Sequence, residues 1–297
     1  MTPPLAGKVV LITGAARGIG AALARAATAR GARMALAGLE PERLAALAAE
    51  LGPGHAWFAC DVTDQAGLEA AVAGAVEALG GLDVVVANAG IASQGTVAAT
   101  PMAAMARVID VNLTGVLRTV SATLPHVVRR RGYFLLISSA AALAAMPGLA
   151  AYAAAKSGVE QLGNALRLEL AHKGVAVGSA HPCWIDTDLV RDVRHDLASF
   201  DALLRRLPGP FGRITSVEDC AEALVRAIER RRRRVFVPRS LALWWAARPL
   251  LGSRLGEALL RRQARRFLPI LEQQVAALGR SFGEHSVEGR GTLVRDE

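Results

Sequence analysis

The strongest constraint on the fold is an alternation of short apolar runs with helical stretches. The first run, residues 8–13 (Lys-Val-Val-Leu-Ile-Thr), is apolar and β-branched, as a buried parallel strand is. Further strands are predicted at residues 33–38, 55–60, 82–87, 133–137, 175–180 and 234–237. Helices are predicted between them, at residues 41–51, 65–79, 101–130, 151–172 and 216–230. This alternation predicts a doubly wound α/β fold, in which helices cover both faces of a parallel sheet.

A glycine-rich turn follows the first predicted strand, and it opens a helix that runs to about residue 30. The turn reads Gly14-Ala15-Ala16-Arg17-Gly18-Ile19-Gly20. Glycine permits a tight turn, and it lets backbone N–H groups approach a pyrophosphate at the positive end of the helix. A strand, a glycine turn and a helix in this order indicate a dinucleotide-binding site.

A second feature is Tyr152, which stands four residues before Lys156 and thirteen residues after Ser139. Residues i and i+4 share one face of a helix, so the phenol and the ammonium are expected to lie side by side. A neighbouring ammonium favours the anionic phenolate and should lower the tyrosine pKa from its ordinary value of about 10. We therefore expect Tyr152 to act as a general acid or base near neutral pH.

Taken together, the motifs of residues 5–239 resemble the short-chain dehydrogenase/reductase family, in its short single-domain branch. The matching motifs, in chain order, are Thr13–Gly20 (TGxxxGIG), Asp61-Val62, Asn88-Ala89-Gly90, Asn112, the set Ser139, Tyr152 and Lys156, and Pro182–Thr187. One departure is Cys183, which stands where the family usually has glycine after the proline. The thiol is expected either to contact substrate or to pack as a small residue.

The resemblance implies a Rossmann-like fold and hydride transfer between a nicotinamide and a carbonyl or secondary alcohol, as in a ketoreductase. It implies that Tyr152 passes the proton, Ser139 holds the substrate oxygen, Lys156 binds the ribose hydroxyls and Asn112 supports a water relay. The cofactor-binding residues that it implies are Gly14, Arg17, Gly18, Ile19, Gly20, Gly38, Asp61, Val62, Asn88, Ala89, Gly90, Tyr152, Lys156, Ile185 and Thr187. No metal is expected.

The end of the second strand bears on the choice of cofactor. Gly38 occupies the position where NAD-preferring enzymes place an acidic residue that binds the ribose 2′-hydroxyl. Arg17 in the glycine turn is placed to meet a 2′-phosphate, whereas Glu40 would repel one if it pointed inward. The balance favours NADP, and NAD remains possible.

The predicted organisation is one NAD(P)-binding domain, residues 1–239, followed by an extension. Residues 183–213 are irregular and rich in proline and glycine, and they are expected to form a substrate lid. Its apolar side chains predict a lipophilic substrate; they are Leu189, Val190, Phe200, Leu203, Leu204 and Phe211. Residues 240–282 are predicted to form a basic amphipathic helical extension, and residues 283–297 a disordered tail.

The extension also holds most of the net charge. Residues 231–297 carry 14 arginines against 6 acidic residues, so they account for +8 of the net +9. Three interpretations stay open: packing on the domain or on a second subunit, peripheral contact with an anionic membrane, and nucleic-acid binding. Nucleic acid is not expected, because no recognition motif accompanies the charge.

The cysteines and the start of the chain bear on the cellular compartment. Three widely separated cysteines argue against a disulfide framework, and no signal peptide is seen at the start of the chain, so a cytoplasmic protein is expected. The uncharged stretch 132–155 is broken by Ser138-Ser139 and Pro147-Gly148, which favours a strand, a loop and a helix start over a membrane span.

The resemblance implies a homodimer or homotetramer. The alternative to an enzyme is a non-catalytic nucleotide-binding or interaction protein on the same fold.

Overall fold

The computed structural model describes residues 4–283 and has a seven-stranded sheet at its centre. The strands are β1 (Val9–Thr13), β2 (Arg33–Gly38), β3 (Ala56–Ala59), β4 (Val84–Ala87), β5 (Tyr133–Ile137), β6 (Ala176–Pro182) and β7 (Arg234–Val237). Every neighbouring pair is parallel, in the order β3-β2-β1-β4-β5-β6-β7. All seven predicted strands are present, and the predicted fold class is confirmed.

The helices follow the strands along the chain. They are α1 (Gly18–Thr28), α2 (Pro41–Leu51), α3 (Gln65–Leu79), α4 (Met102–Ile109), α5 (Gly115–Arg129), α6 (Ala150–Glu169), α7 (Asp188–Asp196), α8 (Phe200–Leu204), α9 (Val217–Glu229), α10 (Leu241–Ala246), α11 (Arg248–Leu251) and α12 (Arg254–Leu278). A π-helical turn, Asp110–Thr114, joins α4 to α5. The predicted lid therefore contains two short helices, α7 and α8.

Alternate strand residues build two cores, because successive side chains of a strand point to opposite faces of the sheet. In β1, Val10 and Ile12 pack in the core that α1, α2 and α9 cover. Val9 and Leu11 pack in the opposite core, beneath α3, α5 and α6. Every β1 residue is buried, which is the pattern expected of a strand covered on both faces.

The strand order reverses direction between β1 and β4. From β1 the chain winds outward to β2 and β3, then returns to β4 on the other side of β1. The loops after β1 and β4 consequently diverge and leave a crevice at the carboxyl edge of the sheet, which is where ligands bind in open α/β folds. The glycine turn and the Asn88-Ala89-Gly90 segment lie on either side of that crevice.

Two further expectations concern the ends of the chain and the uncharged stretch. Residues 132–155 form β5, a 3-10 turn (Ala140–Ala142) and the start of α6. Within residues 4–283, none of the helices combines the length and the apolar character that a bilayer crossing requires. The tail expected to be disordered lies outside the described residues, except for Gly283.

Candidate active site

The glycine turn after β1 is closed by contacts with the segment after β4. Gly14 has a φ of +64°, and a Cβ there would stand 2.8 Å from the Ala89 Cα. The Asn88 side chain donates hydrogen bonds to the carbonyls of Thr13 (3.0 Å) and Gly14 (3.1 Å). At Gly20 a Cβ would lie 2.3 Å from the Gly14 oxygen. The two glycines are thus required by close backbone approach, and the turn is built as one unit with residues 88–89.

The start of α1 suits an anion. Gly18, its first residue, has a φ of +54°, and neither a capping side chain nor an acidic residue satisfies the first turn. The first amides of a helix have no partner within the helix, and the helix dipole favours negative charge at this end. The residues at this site therefore fit the pyrophosphate of a dinucleotide.

At the end of β2, Gly38 leaves room beside the glycine turn, since a Cβ there would meet atoms at ordinary contact distances of 3.7–3.8 Å. Arg17 donates from Nε to Glu40 at 2.8 Å, and its NH1 lies 3.8 Å from Asp188. Glu40 also pairs with Arg43, at 3.2 Å. The glutamate that was expected to repel a phosphate is therefore held between two arginines.

The segment after β3 lies at the same edge of the sheet. The Asp61 carboxylate accepts hydrogen bonds from Thr63 N (2.9 Å) and Thr63 Oγ1 (2.8 Å), and Arg107 lies 3.3 Å from its other oxygen. Val62 is buried, and a Cβ at Gly115 would stand 2.8 Å from it. The pair is rigidly placed, and its predicted contact with adenine stays a prediction.

Asn112 lies on the π-helical turn and is completely buried. Its amide forms a reciprocal pair with Ile91: Asn112 Nδ2 donates to the Ile91 carbonyl (2.7 Å), and Ile91 N donates to Asn112 Oδ1 (3.0 Å). A Cβ at Gly90 would stand 2.7 Å from Asn112 Oδ1 and 3.4 Å from Lys156 Nζ. Asn112 and Lys156, which are 44 positions apart, therefore meet beside Gly90.

Lys156 lies below Tyr152 on α6, with Nζ 5.7 Å from the centre of the phenol ring. Its ammonium donates to the Ile137 carbonyl at 2.9 Å, which fixes it against the end of β5. Burial lowers its pKa from 10.5 to about 8, because the charged form has lost its water. The ammonium is still the major form at neutral pH.

The prediction that Lys156 lowers the pKa of Tyr152 is wrong for the protein without cofactor. The pKa of Tyr152 is raised, and burial is the largest cause. A hydrogen bond with Ser139 acts in the opposite direction but is the smaller contribution. Desolvation of the phenolate outweighs this stabilisation, so the phenol stays protonated at neutral pH. Ser139 itself follows β5, and its Oγ accepts from Ala141 N at 3.1 Å.

The loop after β6 closes the crevice from the other side. Ile185 is buried and bridges to Thr215, while Thr187 touches the glycine turn, with its methyl 3.3 Å from a Cβ built at Gly18. Cys183 is buried, and burial raises the pKa of its thiol to about 12. Its thiol is therefore not ionised at neutral pH, as expected of a packed small residue, although it also lines the pocket described next.

A pocket of about 1070 Å³, its open mouth included, lies above the Ser139–Tyr152 pair. Its lining is mostly apolar and comes from the loops after β4, β5 and β6, the lid helices, α12, and the first turns of α1 and α6. Of the six apolar lid residues singled out from the sequence, four line the pocket: Leu189, Val190, Phe200 and Leu203. Val193 and Leu197 of the lid line it as well. The remaining two of the six, Leu204 and Phe211, are buried in hydrophobic clusters and do not line it.

The wall formed by α12 was not predicted. Phe267 and Leu271 line the pocket, and Leu271 packs in one cluster with the lid residues Val190 and Phe200. The apolar period of α12 indicates that one face is buried, but it carries no signal of which surface that face covers. Gln94 and Trp184 also line the pocket without having been singled out.

Comparisons with known proteins agree with this geometry. The family described as short chain dehydrogenase matches residues 8–198. The 3-alpha-(or 20-beta)-hydroxysteroid dehydrogenase of Mycobacterium bovis is 38% identical over 211 residues, which cover 71% of this chain and 80% of that protein. Glycine betaine reductase ATRR of Emericella nidulans is 36% identical over 230 residues, but these cover 76% of this chain and only 18% of that protein.

Solved structures give the same result. The crystal structure of levodione reductase is 27% identical and superposes with a TM-score of 0.69, covering 76% of this chain and 91% of that chain. Sequence, sheet order and site geometry thus converge: the chain belongs to the short-chain dehydrogenase/reductase family of NAD(P)-dependent oxidoreductases, which act on CH–OH and C=O groups.

Proposed function

We propose that this protein transfers a hydride between NADP and a lipophilic ketone or secondary alcohol, with Tyr152 as the acid or base. The observation that carries the proposal is the position of the Ser139–Tyr152 pair in the lining of a mostly apolar pocket. A polar pair in such a lining favours a substrate whose carbon skeleton is apolar and whose oxygen meets that pair.

Tyr152 hands a proton to the substrate oxygen in the reductive direction and removes it in the oxidative one. Its raised pKa keeps the phenol protonated at neutral pH, which favours reduction of a carbonyl. Ser139 Oγ holds the substrate oxygen. Nicotinamide, when bound, supplies or accepts the hydride.

Lys156 and Asn112 assist the Ser139–Tyr152 pair by binding the cofactor and a water relay. The ammonium of Lys156, anchored on the Ile137 carbonyl, binds the ribose hydroxyls and stabilises negative charge on the phenol. Asn112, whose Oδ1 lies beside the same Gly90 position as Lys156 Nζ, holds a water relay. The reciprocal amide pair with Ile91 keeps Asn112 in place for that role.

Replacing Tyr152 with Phe tests the catalytic proposal. The variant should lose nearly all turnover while its affinity for the nicotinamide cofactor, measured by calorimetry, stays within a few fold. The matched control is the other tyrosine: Tyr133 is fully buried in β5, donates to the Arg232 carbonyl and does not line the pocket. Tyr133→Phe should retain turnover. A fully active Tyr152→Phe enzyme would contradict the mechanism.

The preference for NADP rests on the charges beside Gly38. Arg17 and Arg43 both bind the Glu40 carboxylate beside the end of β2, and a 2′-phosphate can take the place of that carboxylate as the partner of the two guanidinium groups. Arg17→Ala should raise the KM for NADPH about tenfold or more and change the KM for NADH much less. A wild-type enzyme with a clear preference for NADH would contradict the assignment.

The lipophilic substrate rests on the pocket wall, whose lid and α12 residues are aliphatic or aromatic. In a panel of ketones assayed with NADPH, kcat/KM should rise with the apolar surface of the substrate. The expected increase is roughly tenfold for each 1.4 kcal/mol of free energy gained by burying that surface. Activity confined to small charged ketones would refute the lipophilic assignment.

We also propose that this protein is cytoplasmic and that it binds peripherally to an anionic membrane through the exposed face of its C-terminal helices. Arg254, Arg261, Arg262, Arg265 and Arg266 are exposed there. Leu243, Leu250 and Ile270 add exposed apolar side chains. Exposed arginines on α12 and exposed leucines on α10 and α11 are side chains that suit the headgroup region of such a membrane. Co-sedimentation with anionic vesicles at low salt, and its absence with neutral vesicles, is the expected result; failure to bind anionic vesicles contradicts the proposal.

A further inference from the structure

His181 is a buried titratable residue to which the proposed reaction gives no role. It lies near the end of β6, just before Pro182, and its side chain is completely buried. Each ring nitrogen meets a polar atom: Nδ1 lies 3.4 Å from the Ser139 carbonyl oxygen, and Nε2 lies 3.2 Å from Ser179 Oγ. The imidazole therefore contacts the backbone of the residue that is proposed to hold the substrate oxygen.

The two partners determine which nitrogen of the imidazole carries the proton. A carbonyl oxygen only accepts hydrogen bonds, so Nδ1 carries the proton and donates to Ser139. Nε2 is then the acceptor for the hydroxyl of Ser179. This arrangement needs the neutral ring, and burial favours that ring because it is the largest cause that lowers the pKa of His181.

Packing on β7 and on the C-terminal helices holds the ring in place. Phe236 stacks on His181, with the centroids 5.2 Å apart and the planes inclined by 24°. Trp245 of α10 packs against Phe236, with the centroids 6.2 Å apart, and its indole donates to Glu160 of α6 at 3.1 Å. Arg248 donates to the same buried carboxylate at 3.1 Å. The extension thus covers the layer next to His181 and restricts the turning of the imidazole.

The Ser139 carbonyl is held from two sides. Ala142 N donates to it at 3.1 Å from the 3-10 turn, and the imidazole approaches it from β6. The Ser139 side chain, in turn, forms the hydrogen bond with Tyr152 that acts against the raised pKa of the phenol. Because the carbonyl carbon and Cβ of Ser139 are both bonded to its Cα, a turn of this peptide group would carry Oγ with it.

We propose that His181 is a positioning residue, whose Nδ1–H bond to the Ser139 carbonyl fixes the backbone that directs Ser139 Oγ towards Tyr152 and the substrate oxygen. This inference rests on the proposed function, since it assigns a role in the same reaction. At 3.4 Å the contact is longer than the typical N–H···O distance of about 2.9–3.0 Å, so its loss should lower kcat by about 3-fold to 30-fold without abolishing turnover.

The first test observes Tyr152 directly and needs no substrate. The chain has only two tyrosines, so in a Tyr133→Phe background the NMR signal of tyrosine isotope-labelled at Cζ comes from Tyr152 alone. His181→Phe keeps a ring against Phe236 but removes the N–H, and it should move the signal in the same direction as Ser139→Ala does. His181→Asn places an amide N–H at about the position of Nδ1, and it should keep the wild-type signal.

Two further variants complete the comparison. His181→Leu removes the donor and matches Asn in shape, so it replaces His181→Phe if that variant does not fold. His172→Phe, at an exposed histidine after α6, is the matched control and should leave the signal unchanged. The positioning role is overturned if the folded apolar variants at position 181 keep the wild-type signal, or if His181→Asn moves it as far as they do.

The second test is kinetic and uses the ketone panel with NADPH. His181→Phe should lower kcat by the stated factor and change the KM for NADPH by less than about twofold, and His181→Asn should restore most of the loss. An equal loss of kcat in His181→Asn would contradict the role of the N–H. A signal of Tyr152 that follows position 181 in a protein without any turnover would refute the proposed function and leave the positioning role standing. Turnover combined with an unmoved signal would do the reverse.

Discussion

Replacement of Leu271 by Ala tests whether the C-terminal helix is part of the active site. Leu271 is 4% exposed, lines the pocket and packs with Val190 and Phe200 of the lid. A Cβ at Gly148 would stand 2.5 Å from its Cδ2, so the side chain also lies tightly on the loop after β5. Truncation should loosen α12 from both surfaces and open the wall of the pocket.

The expected magnitude follows from this burial. Truncating a buried leucine costs about 2–5 kcal/mol, the larger values arising where the cavity does not collapse. We expect the lower part of that range, since the removed atoms face a pocket that is already open on one side. At roughly 2 °C per kcal/mol for a chain of this size, Tm should fall by about 4–6 °C. The added space should raise kcat/KM for a bulkier ketone relative to a smaller one.

The assay is a thermal melt combined with a size series of ketones and hydrogen exchange on α12 and the lid. Ile270→Ala is the matched control, because Ile270 is the neighbouring residue and is 48% exposed. It should change Tm by no more than about 1 °C, as surface substitutions stay within about 0.5 kcal/mol. If Leu271→Ala matches Ile270→Ala in Tm, specificity and exchange, α12 is not a wall of the site.

Two other perturbations follow from the buried lysine and from an exposed leucine. Between pH 8 and 10.5 the unfolded chain keeps a proton on Lys156 that the folded protein has lost, because the pKa of Lys156 is lower in the folded state. The free energy of unfolding of the wild type, relative to that of Lys156→Met, should therefore rise by up to about 3 kcal/mol as the pH increases across that window. Denaturant melts measure this difference, and a difference that stays constant with pH would contradict the lowered pKa. Leu168 on α6 is 79% exposed, and if α6 forms the expected two-fold interface, Leu168→Glu should yield a monomer by light scattering. Leu243→Glu, at 75% exposure on α10, should not change the assembly.

Much of the fold was predictable because its signals are local. The period-2 and period-3.6 patterns, together with glycine and proline, predicted every strand of the sheet and the approximate positions of the helices between them. The single helix predicted at residues 101–130 is in fact two helices, α4 and α5, joined by a π-helical turn. The bounds of β2, β5 and α3 agree exactly with the sequence pattern. The lid was harder, because α7 has 9 residues and α8 has 5, which is too short for an extended apolar period.

The pKa of Tyr152 and the C-terminal wall show where sequence reasoning failed. Spacing alone places Tyr152 and Lys156 on one helix face, but it contains no measure of how much water is removed from the phenol. Burial raises the tyrosine pKa, and only the packing around it determines that burial. Similarly, the period of α12 indicates a buried face without indicating that the face covers the lid.

By itself, the sequence determined the order of the strands and helices along the chain, the glycine turn, and the spacing of Ser139, Tyr152 and Lys156. Each of these features depends on residues close together in the chain or on one continuous apolar segment that forms a buried strand. The tertiary structure decided what surrounds the site: which lid side chains line the pocket, that Phe267 and Leu271 of α12 form part of its wall, and that Gln94 and Trp184 also line it. Those outcomes depend on contacts between distant segments, such as the hydrogen bond from Gln94 N to the Ser281 carbonyl, 187 positions further along the chain. Only the packing of the whole chain brings such segments together.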